Sequence, residues 1–262
     1  MFSKSTNTHR FFELNNFTVN NKFILSQINS HKIINVLRLS LGAIITVFNN
    51  TNLEFIAKIT DLKINKKNNL IEIIILKAIE KNLESMLKIH LVQAIAKHDN
   101  MDLIVQKATE LGVNQITPII TERTIVKTNT NQITKKINHW QSIAINACCQ
   151  CGRNIVPKVN ELISFKDFIK NKILNKFILT PNTNFNNIDF NKFNFNPELN
   201  QEICIIIGPE GGFNEQELSL ATENECLALS LGPRILRTET ASIACISILQ
   251  AQYGDLKMCF LC

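Results

Sequence analysis

The sequence predicts an α/β protein: a small β-barrel-like domain followed by a larger domain built on a helix-covered parallel sheet. Three observations predict it. Residues 203–207, Ile-Cys-Ile-Ile-Ile, form an unbroken, mostly β-branched apolar run ended by Gly208-Pro209, the pattern of a strand buried on both faces. From residue 90 onward strand-like and helical stretches alternate, so helices serve as crossovers between parallel strands. Before residue 80 the chain instead reads as short strands between Asn, Gly, Asp and Lys clusters, interrupted by one helix.

In the first domain, residues 1–80, strands are expected at 23–25, 43–48, 55–59 and 70–76. Ser30 is expected to cap a helix over 31–39, with Ile33, Ile34 and Leu37 inward and Lys32 and Arg38 outward. Polar residues Glu80, Lys81, Asn82 and Glu84 mark the boundary, and the second domain takes residues 81–262. It opens with a strand at 90–95, the segment Lys97-His98-Asp99-Asn100, and a helix over 101–111 that Gly112 stops. A strand follows at 115–120, then Glu122-Arg123-Thr124 and a loop rich in Thr and Asn. The spacing of Ile133, Ile137, Trp140, Ala144, Ala147, Cys148 and Cys151 predicts a helix over 133–151, with Gly152 ending it and Arg153 just beyond. On that face Trp140 reads as core or interface rather than a platform for stacked bases. A short strand at 156–159, a helix capped by Ser164, and a buried strand at 176–179 ending in Thr180-Pro181 come next. Residues 182–200 are polar and Asn-rich without a period, either a lid or a solvated connection.

The chain is organised around residues 202–253. In Gly208-Pro209-Glu210-Gly211-Gly212 the missing β-carbons let main-chain amides approach a ligand, and Asn214 with Glu217 has the spacing of a helix cap and its reciprocal partner. A second strand at 228–231 leads into the turn 232–240 and a helix over 241–253. Ala241, Ser242, Ala244, Cys245 and Ser247 on that helix leave room for close backbone packing, so it is expected to be buried. Either turn alone is an ordinary tight turn. Together, at the carboxyl ends of neighbouring strands, they form a crevice of the kind in which open α/β sheets bind ligands.

The chemistry of the turns narrows the ligand. Gly211-Gly212 is followed by Phe213-Asn214 and not by the Lys and Ser or Thr of a phosphate loop. Main-chain polar groups, apolar walls from Ile235 and Leu236, and the acids Glu210 and Glu239 suit a neutral aromatic base joined to a cationic centre. Arg237 would be repelled by such a centre, so it is expected to face an anionic substrate or the charge developing on one.

Composition bounds the rest. A net charge of +6 admits an anionic partner such as nucleic acid, though a solvated lysine-rich surface gives the same value. No apolar run approaches the length of a membrane span and the first ten residues are polar, so a cytoplasmic location and no membrane partner are expected. The eight cysteines read as reduced small apolar residues. Cys148 with Cys151 and Cys259 with Cys262 have C-x-x-C spacing, but one pair lies in a helical pattern and the other in a short tail, so no metal is expected.

The conjunction of GPEGG at 208–212, LGPRILRTETA at 231–241, QCGRN at 150–154, TELGVNQITPIITER at 109–123 and VLRL at 36–39 resembles the RsmE-type small-subunit ribosomal RNA uracil-N3 methyltransferases of the SPOUT superfamily, over nearly the whole chain. GPEGG alone is shared across SPOUT branches; its combination with LGPRILRTET and QCGRN is specific. The resemblance implies a PUA-like RNA-binding barrel, a SPOUT-type parallel sheet with a C-terminal trefoil knot, and a homodimer with the site near its interface. It implies S-adenosylmethionine (SAM) as cofactor, and small-subunit ribosomal RNA or the assembled small subunit as partner. By match to the motifs, SAM would lie among Leu179, Thr180, Pro181, Ile207, Gly208, Pro209, Glu210, Gly211, Gly212, Leu231, Gly232, Pro233, Ile235, Leu236, Arg237, Thr240 and Ala241. Where the family has basic-Gly-Asp-basic-Met, this chain has Lys97-His98-Asp99-Asn100-Met101, lacking the glycine and one positive charge. The tail 257–262 matches no family motif.

Methylation at N3 of uracil needs removal of a proton or stabilisation of the imide anion. Arg237 is the first candidate for that stabilisation and Arg153 the next. Glu239 is a candidate base, with capping of the last helix or pairing with Arg237 as alternatives, and Glu210 is expected to orient the turn or the cofactor. Arg10, Arg38, Lys97, Arg123 and Arg153, with Lys32 and Lys127, are candidate phosphate contacts; any single lysine reads equally as surface charge. A SPOUT enzyme acting on another base or a ribose 2′-hydroxyl, and a non-catalytic ribosome-assembly factor, are the rival readings.

Overall fold

The structure, a computed structural model, describes residues 9–64, 69–97, 99–124, 130–181 and 202–257. The chain divides into two compact units, residues 1–84 with 148–155, and residues 85–147 with 156–262. The segment 148–155 therefore leaves the second domain to which the sequence assigns it. Polar bonds within the first unit account for this: Arg153 pairs with Glu84, and Asn154 Nδ2 donates to Lys81 O at 2.9 Å.

In the first unit β1 (Arg10–Phe12), β2 (Lys22–Ile24), β3 (Ile44–Phe48), β4 (Leu53–Ile64) and β5 (Asn69–Glu80) form a sheet in the order β1-β3-β4-β5-β2. All pairings are antiparallel except β1 with β3. Period-two side-chain alternation turns Ile71, Ile73 and Ile75 of β5 into a core with Ile45, Val47, Ala57 and Phe11. Strands β4 and β5 run longer than expected, because Asp61 and Lys77 interrupt the apolar pattern beyond 55–59 and 70–76. The helix α1 (Gln27–His31) continues into a π-helical turn, Lys32–Val36. Its N-cap is Ser26, whose Oγ accepts from Asn29 N at 3.3 Å, and not Ser30. Ser30 faces inward instead: its hydroxyl accepts from Ile71 N at 3.1 Å and fastens the helix to β5.

The second unit carries β6 (Lys88–Ala94), α2 (Asn100–Glu110), β7 (Gln115–Ile120), α3 (Thr130–Cys151), β8 (Lys158–Val159), β9 (Ile163–Ser164), α4 (Phe165–Ile169), β10 (Lys176–Leu179), β11 (Glu202–Ile207), α5 (Glu215–Glu223), β12 (Leu227–Leu229) and α6 (Thr238–Tyr253). Helix α3 ends in the segment shared with the first unit. The sheet order is β12-β10-β11-β6-β7-β8, with β9 also on β7, and every pairing is parallel. Cys204 and Ile206 of β11 face a cluster with Phe165, Phe168 and Ala221 from α4 and α5. Helix α6 packs on α2 and β11. Trp140 is 4% exposed and its indole N–H donates to Asp102 Oδ1 at 3.1 Å, so it joins α3 to α2 as a core residue. Among the described residues no helix is long and apolar enough to cross a membrane.

One buried side chain in the sheet makes stability depend on pH. His90 is 4% exposed, and its Nε2 lies 2.7 Å from Thr117 Oγ1. Asn160 Nδ2 donates to that same oxygen at 2.8 Å, so His90, Thr117 and Asn160 form one buried polar group. Burial pushes the His90 pKa down from 6.5 to about 4. The unfolded chain thus takes up this proton first on acidification: stability is full above pH 6.5 and declines as pH falls toward 4. Between pH 6.5 and pH 5 the loss is expected to reach ~2 kcal/mol at most. Glu202 Oε2, 3.9 Å from Nδ1, works against it. Urea denaturation across this range checks it, since His90→Gln should flatten the profile; an unchanged slope would remove His90 as the cause.

Candidate functional site

Strands β12, β10 and β11 are neighbours in the sheet, so the turns at their carboxyl ends converge. Between these turns lies a cavity of about 410 Å³. Leu179, Thr180 and Pro181 line it from the first turn, and Ile207, Gly208, Pro209, Glu210, Gly211 and Gly212 from the second. Leu231, Gly232, Ile235, Leu236, Arg237 and Ala241 line it from the third, joined by Arg234 and Thr238 of the same stretch and by Leu229 and Ser230, which lie before it and which the sequence reading omits. Pro233 and Thr240 lie outside the lining and are exposed. Helical geometry explains the second: positions 238 and 241 share a face of α6, three residues apart, and 240 does not.

Several contacts hold the glycine-rich turn. Gly212 N donates to Pro209 O at 2.8 Å, and Gly212 has φ 67, a left-handed conformation suited to glycine. A β-carbon at Gly208 would meet the Phe213 ring at 3.1 Å. Glu210 Oε1 accepts from Lys97 N at 2.8 Å, so this carboxylate ties the turn to the loop after β6. From the loop after β7, Arg123 Nη1 donates to Gly211 O at 2.7 Å. Arg123 is exposed, and the bond makes it a brace of the turn as well as a surface cation. Beyond the turn Asn214 and Glu217 form the expected reciprocal cap of α5, and the buried Glu217 also accepts from Glu122 N at 2.9 Å.

The third turn enters α6 at Thr238, three residues earlier than the spacing of small residues suggests. Arg237 is its N-cap in extended conformation, is exposed, and stands on the cavity wall. Thr238 Oγ1 donates to Gly208 O at 2.7 Å and receives Gln93 Nε2 at 3.0 Å. Ser242 Oγ donates to Gln93 Oε1 at 2.7 Å. The sequence reading misses this buried group; its visible signal is a glutamine inside the apolar run 91–96. Glu239 lies off the cavity lining, half-buried, with Oε2 accepting from Asn100 Nδ2 at 3.4 Å.

Two arginines stand elsewhere than expected. Arg153 is 3% exposed, and its Nε and Nη2 reach Glu84 Oε2 at 3.0 and 2.6 Å. Arg10 pairs with Glu54, donates through Nη2 to Asn154 Oδ1 at 2.8 Å and to Gly152 O at 3.2 Å, and lies over the Phe48 ring. Burial lowers its pKa. Both guanidiniums are thus held by partners within the first unit, and neither lines the cavity. A guanidinium already bonded inside the protein would lose those bonds on turning to RNA. Arg38 is exposed on the first unit, in a left-handed conformation with φ 52, and Lys97 is half-buried. Burial pushes the Cys148 thiol up to about 12. Among the described residues no group of three or more His, Cys, Asp or Glu is arranged to hold a metal ion. His98, Lys127, the stretch 182–200 and the pair Cys259 and Cys262 lie outside the described residues.

Comparison with known proteins adds four findings. A family described as RNA methyltransferase domain matches residues 83–250. Ribosomal RNA small subunit methyltransferase E of Buchnera aphidicola subsp. Acyrthosiphon pisum is 38% identical over 97% of both chains. Among solved structures, a methyltransferase from Legionella pneumophila in complex with the bound cofactor SAM superposes with a TM-score of 0.87 at 39% identity, covering 95% of this chain and 99% of that one. The ribosomal RNA small subunit methyltransferase E from Neisseria gonorrhoeae, bound to SAM, does so with a TM-score of 0.84 at 34% identity, covering 95% of this chain and 100% of that one.

Proposed function

Because the chain belongs to the RNA methyltransferase domain family, we propose that it is a SAM-dependent methyltransferase acting on N3 of a uridine in small-subunit ribosomal RNA. The observation that carries this reading is the cavity closed by three turns rich in main-chain polar groups, with Arg237 on its wall. Its relatives support the substrate: curated chains alike over nearly their whole length are named for the small ribosomal subunit, and two structural neighbours hold SAM.

The residues present fit the cofactor. A volume of about 410 Å³ lies within the range of small-molecule pockets, and the walls are mostly apolar with convergent main-chain donors and acceptors. Leu179, Ile207, Leu231, Ile235 and Leu236 would enclose the base, and the turn 208–212 would approach the rest of the ligand through its backbone. When bound, SAM supplies an electrophilic methyl carbon attached to a sulfonium. The chain's own groups then have two tasks. Arg237 offers guanidinium donors to the uracil carbonyl oxygens, on which charge gathers as N3 loses its proton. Glu239, in the same first turn of α6 and bonded to Asn100, accepts that proton in this reading. Alignment of nucleophile and methyl within the closed turns contributes the largest share of the rate.

In the same reading the first unit is a PUA-like RNA-binding barrel, with Arg38 on its surface, and Lys97 and Arg123 meet RNA beside the cavity. The second unit is a trefoil-knotted SPOUT domain acting as a cytoplasmic homodimer. The return of the chain from the edge strand β12 to α6, packed against α2 and β11, supports the knot. The experiment is mass spectrometry of nucleosides from small-subunit ribosomal RNA, with and without this protein. Loss of 3-methyluridine without it is expected; an unchanged 3-methyluridine level with loss of a ribose-methylated nucleoside would sink the N3 assignment.

A further inference from the structure

We infer that Gln93 is a positioning residue for the cofactor, acting through the hydroxyl of Thr238 to hold two walls of the cavity at a fixed separation. The inference rests on the SAM reading of that cavity. Gln93 lies near the end of β6, behind the site and fully buried, and in the sheet it stands beside Ile207. Its amide makes three bonds that join β6 to α6: Nε2 donates to Ala94 O at 2.9 Å and to Thr238 Oγ1 at 3.0 Å, while Oε1 accepts from Ser242 Oγ at 2.7 Å.

The directions of these bonds are fixed by chemistry. Ala94 O and Gly208 O are carbonyl oxygens and can only accept. The nitrogen of Gln93 must therefore face Ala94, which turns its oxygen to Ser242, whose single hydroxyl proton lies between Gln93 Oε1 at 2.7 Å and Thr238 O at 2.8 Å. Thr238 has one hydroxyl proton, and at 2.7 Å it must go to Gly208 O, so its oxygen is left to accept from Gln93. Thr238 belongs to the wall that ends the third turn, and Gly208 opens the glycine-rich turn opposite. Gly208 precedes a proline, whose nitrogen carries no proton, so the carbonyl is the only polar handle on that peptide plane. Without Gln93 the Thr238 hydroxyl keeps Gly208 O as its one partner, and the tie between the walls loses the bond that anchors it to β6. Among the described residues no other side chain is bonded to Thr238 Oγ1.

The test is SAM affinity by calorimetry on the full-length protein, with thermal unfolding alongside. Gln93→Met keeps the volume and removes both polar ends; Gln93→Glu keeps an acceptor for Ser242 but, as the carboxylate, has no donor for Thr238. Each is expected to weaken SAM binding by about tenfold, the scale of one unsatisfied buried partner. At saturating SAM the methylation rate should return to within about threefold of the parent. The double variant Gln93→Met with Thr238→Val should bind no more weakly than the worse single variant, because both act through one hydroxyl. Affinity within twofold of the parent in both Gln93 variants, additive losses in the double variant, or loss of folding in both would each overturn the inference. If the unaltered protein itself does not bind SAM, the cofactor reading fails instead.

Discussion

Arg237→Ala is expected to slow methylation by about two to three orders of magnitude while changing SAM affinity by less than about threefold. The reason lies in charge. A cationic sulfonium gains nothing from a neighbouring guanidinium, so Arg237 contributes little to holding the cofactor. A uracil ring giving up its N3 proton spreads negative charge over two flanking oxygens, and an exposed arginine on the cavity wall meets that charge only as it develops. Arg237→Lys should recover only part of the rate, because an ammonium keeps the charge but lacks the planar fork that reaches two oxygens together. Calorimetry with SAM and single-turnover methylation of small-subunit RNA separate the two effects. Equal loss of binding and rate in Arg237→Ala would contradict the role.

The second large effect is on stability. Arg153→Ala is expected to destabilise the protein by about 3–5 kcal/mol, the usual consequence of leaving a buried charge without its partner. Glu84, whose side chain is 10% exposed, would retain only the weak bond from Ile155 N at 3.3 Å. Replacing both members, Arg153→Met with Glu84→Gln, should recover much of the loss, since the glutamine still accepts from Ile155 and no charge is left buried. Urea denaturation measures both. A catalytic Arg153 would show the opposite pattern, a large loss of rate with stability unchanged, and that result would restore the sequence expectation.

These two arginines show how far local pattern carries. Arg153 and Arg237 both stand just outside a helix in motifs shared with the family, and the sequence offers no means of ranking them. The fold separates them: Arg237 caps α6 on an exposed rim, whereas Arg153 is buried against a glutamate 69 residues earlier. Arg10 follows the same logic, with acceptors at Glu54 and at residues 152–154. The serine at position 30 has cap-like chemistry, but the inward turn of α1 gives the cap to Ser26.

By itself, the sequence determined whatever follows from spacing along one chain. An uninterrupted, mostly β-branched run gave β11 and short apolar stretches gave β6 and β10; a glycine stop bounded α2 and the 3.6-residue period gave α3; glycine, proline and a capping pair gave the turns that line the cavity. Those signals are legible because each arises from neighbours a few residues apart. Only the tertiary structure decided the partners: that β12, β10 and β11 are adjacent, that residues 148–155 join the first unit, and that Gln93 meets Thr238 across 145 residues. Hydrogen bonds and ion pairs form between groups brought within about 3 Å by the packing of the whole core, and no periodicity in the chain records that distance.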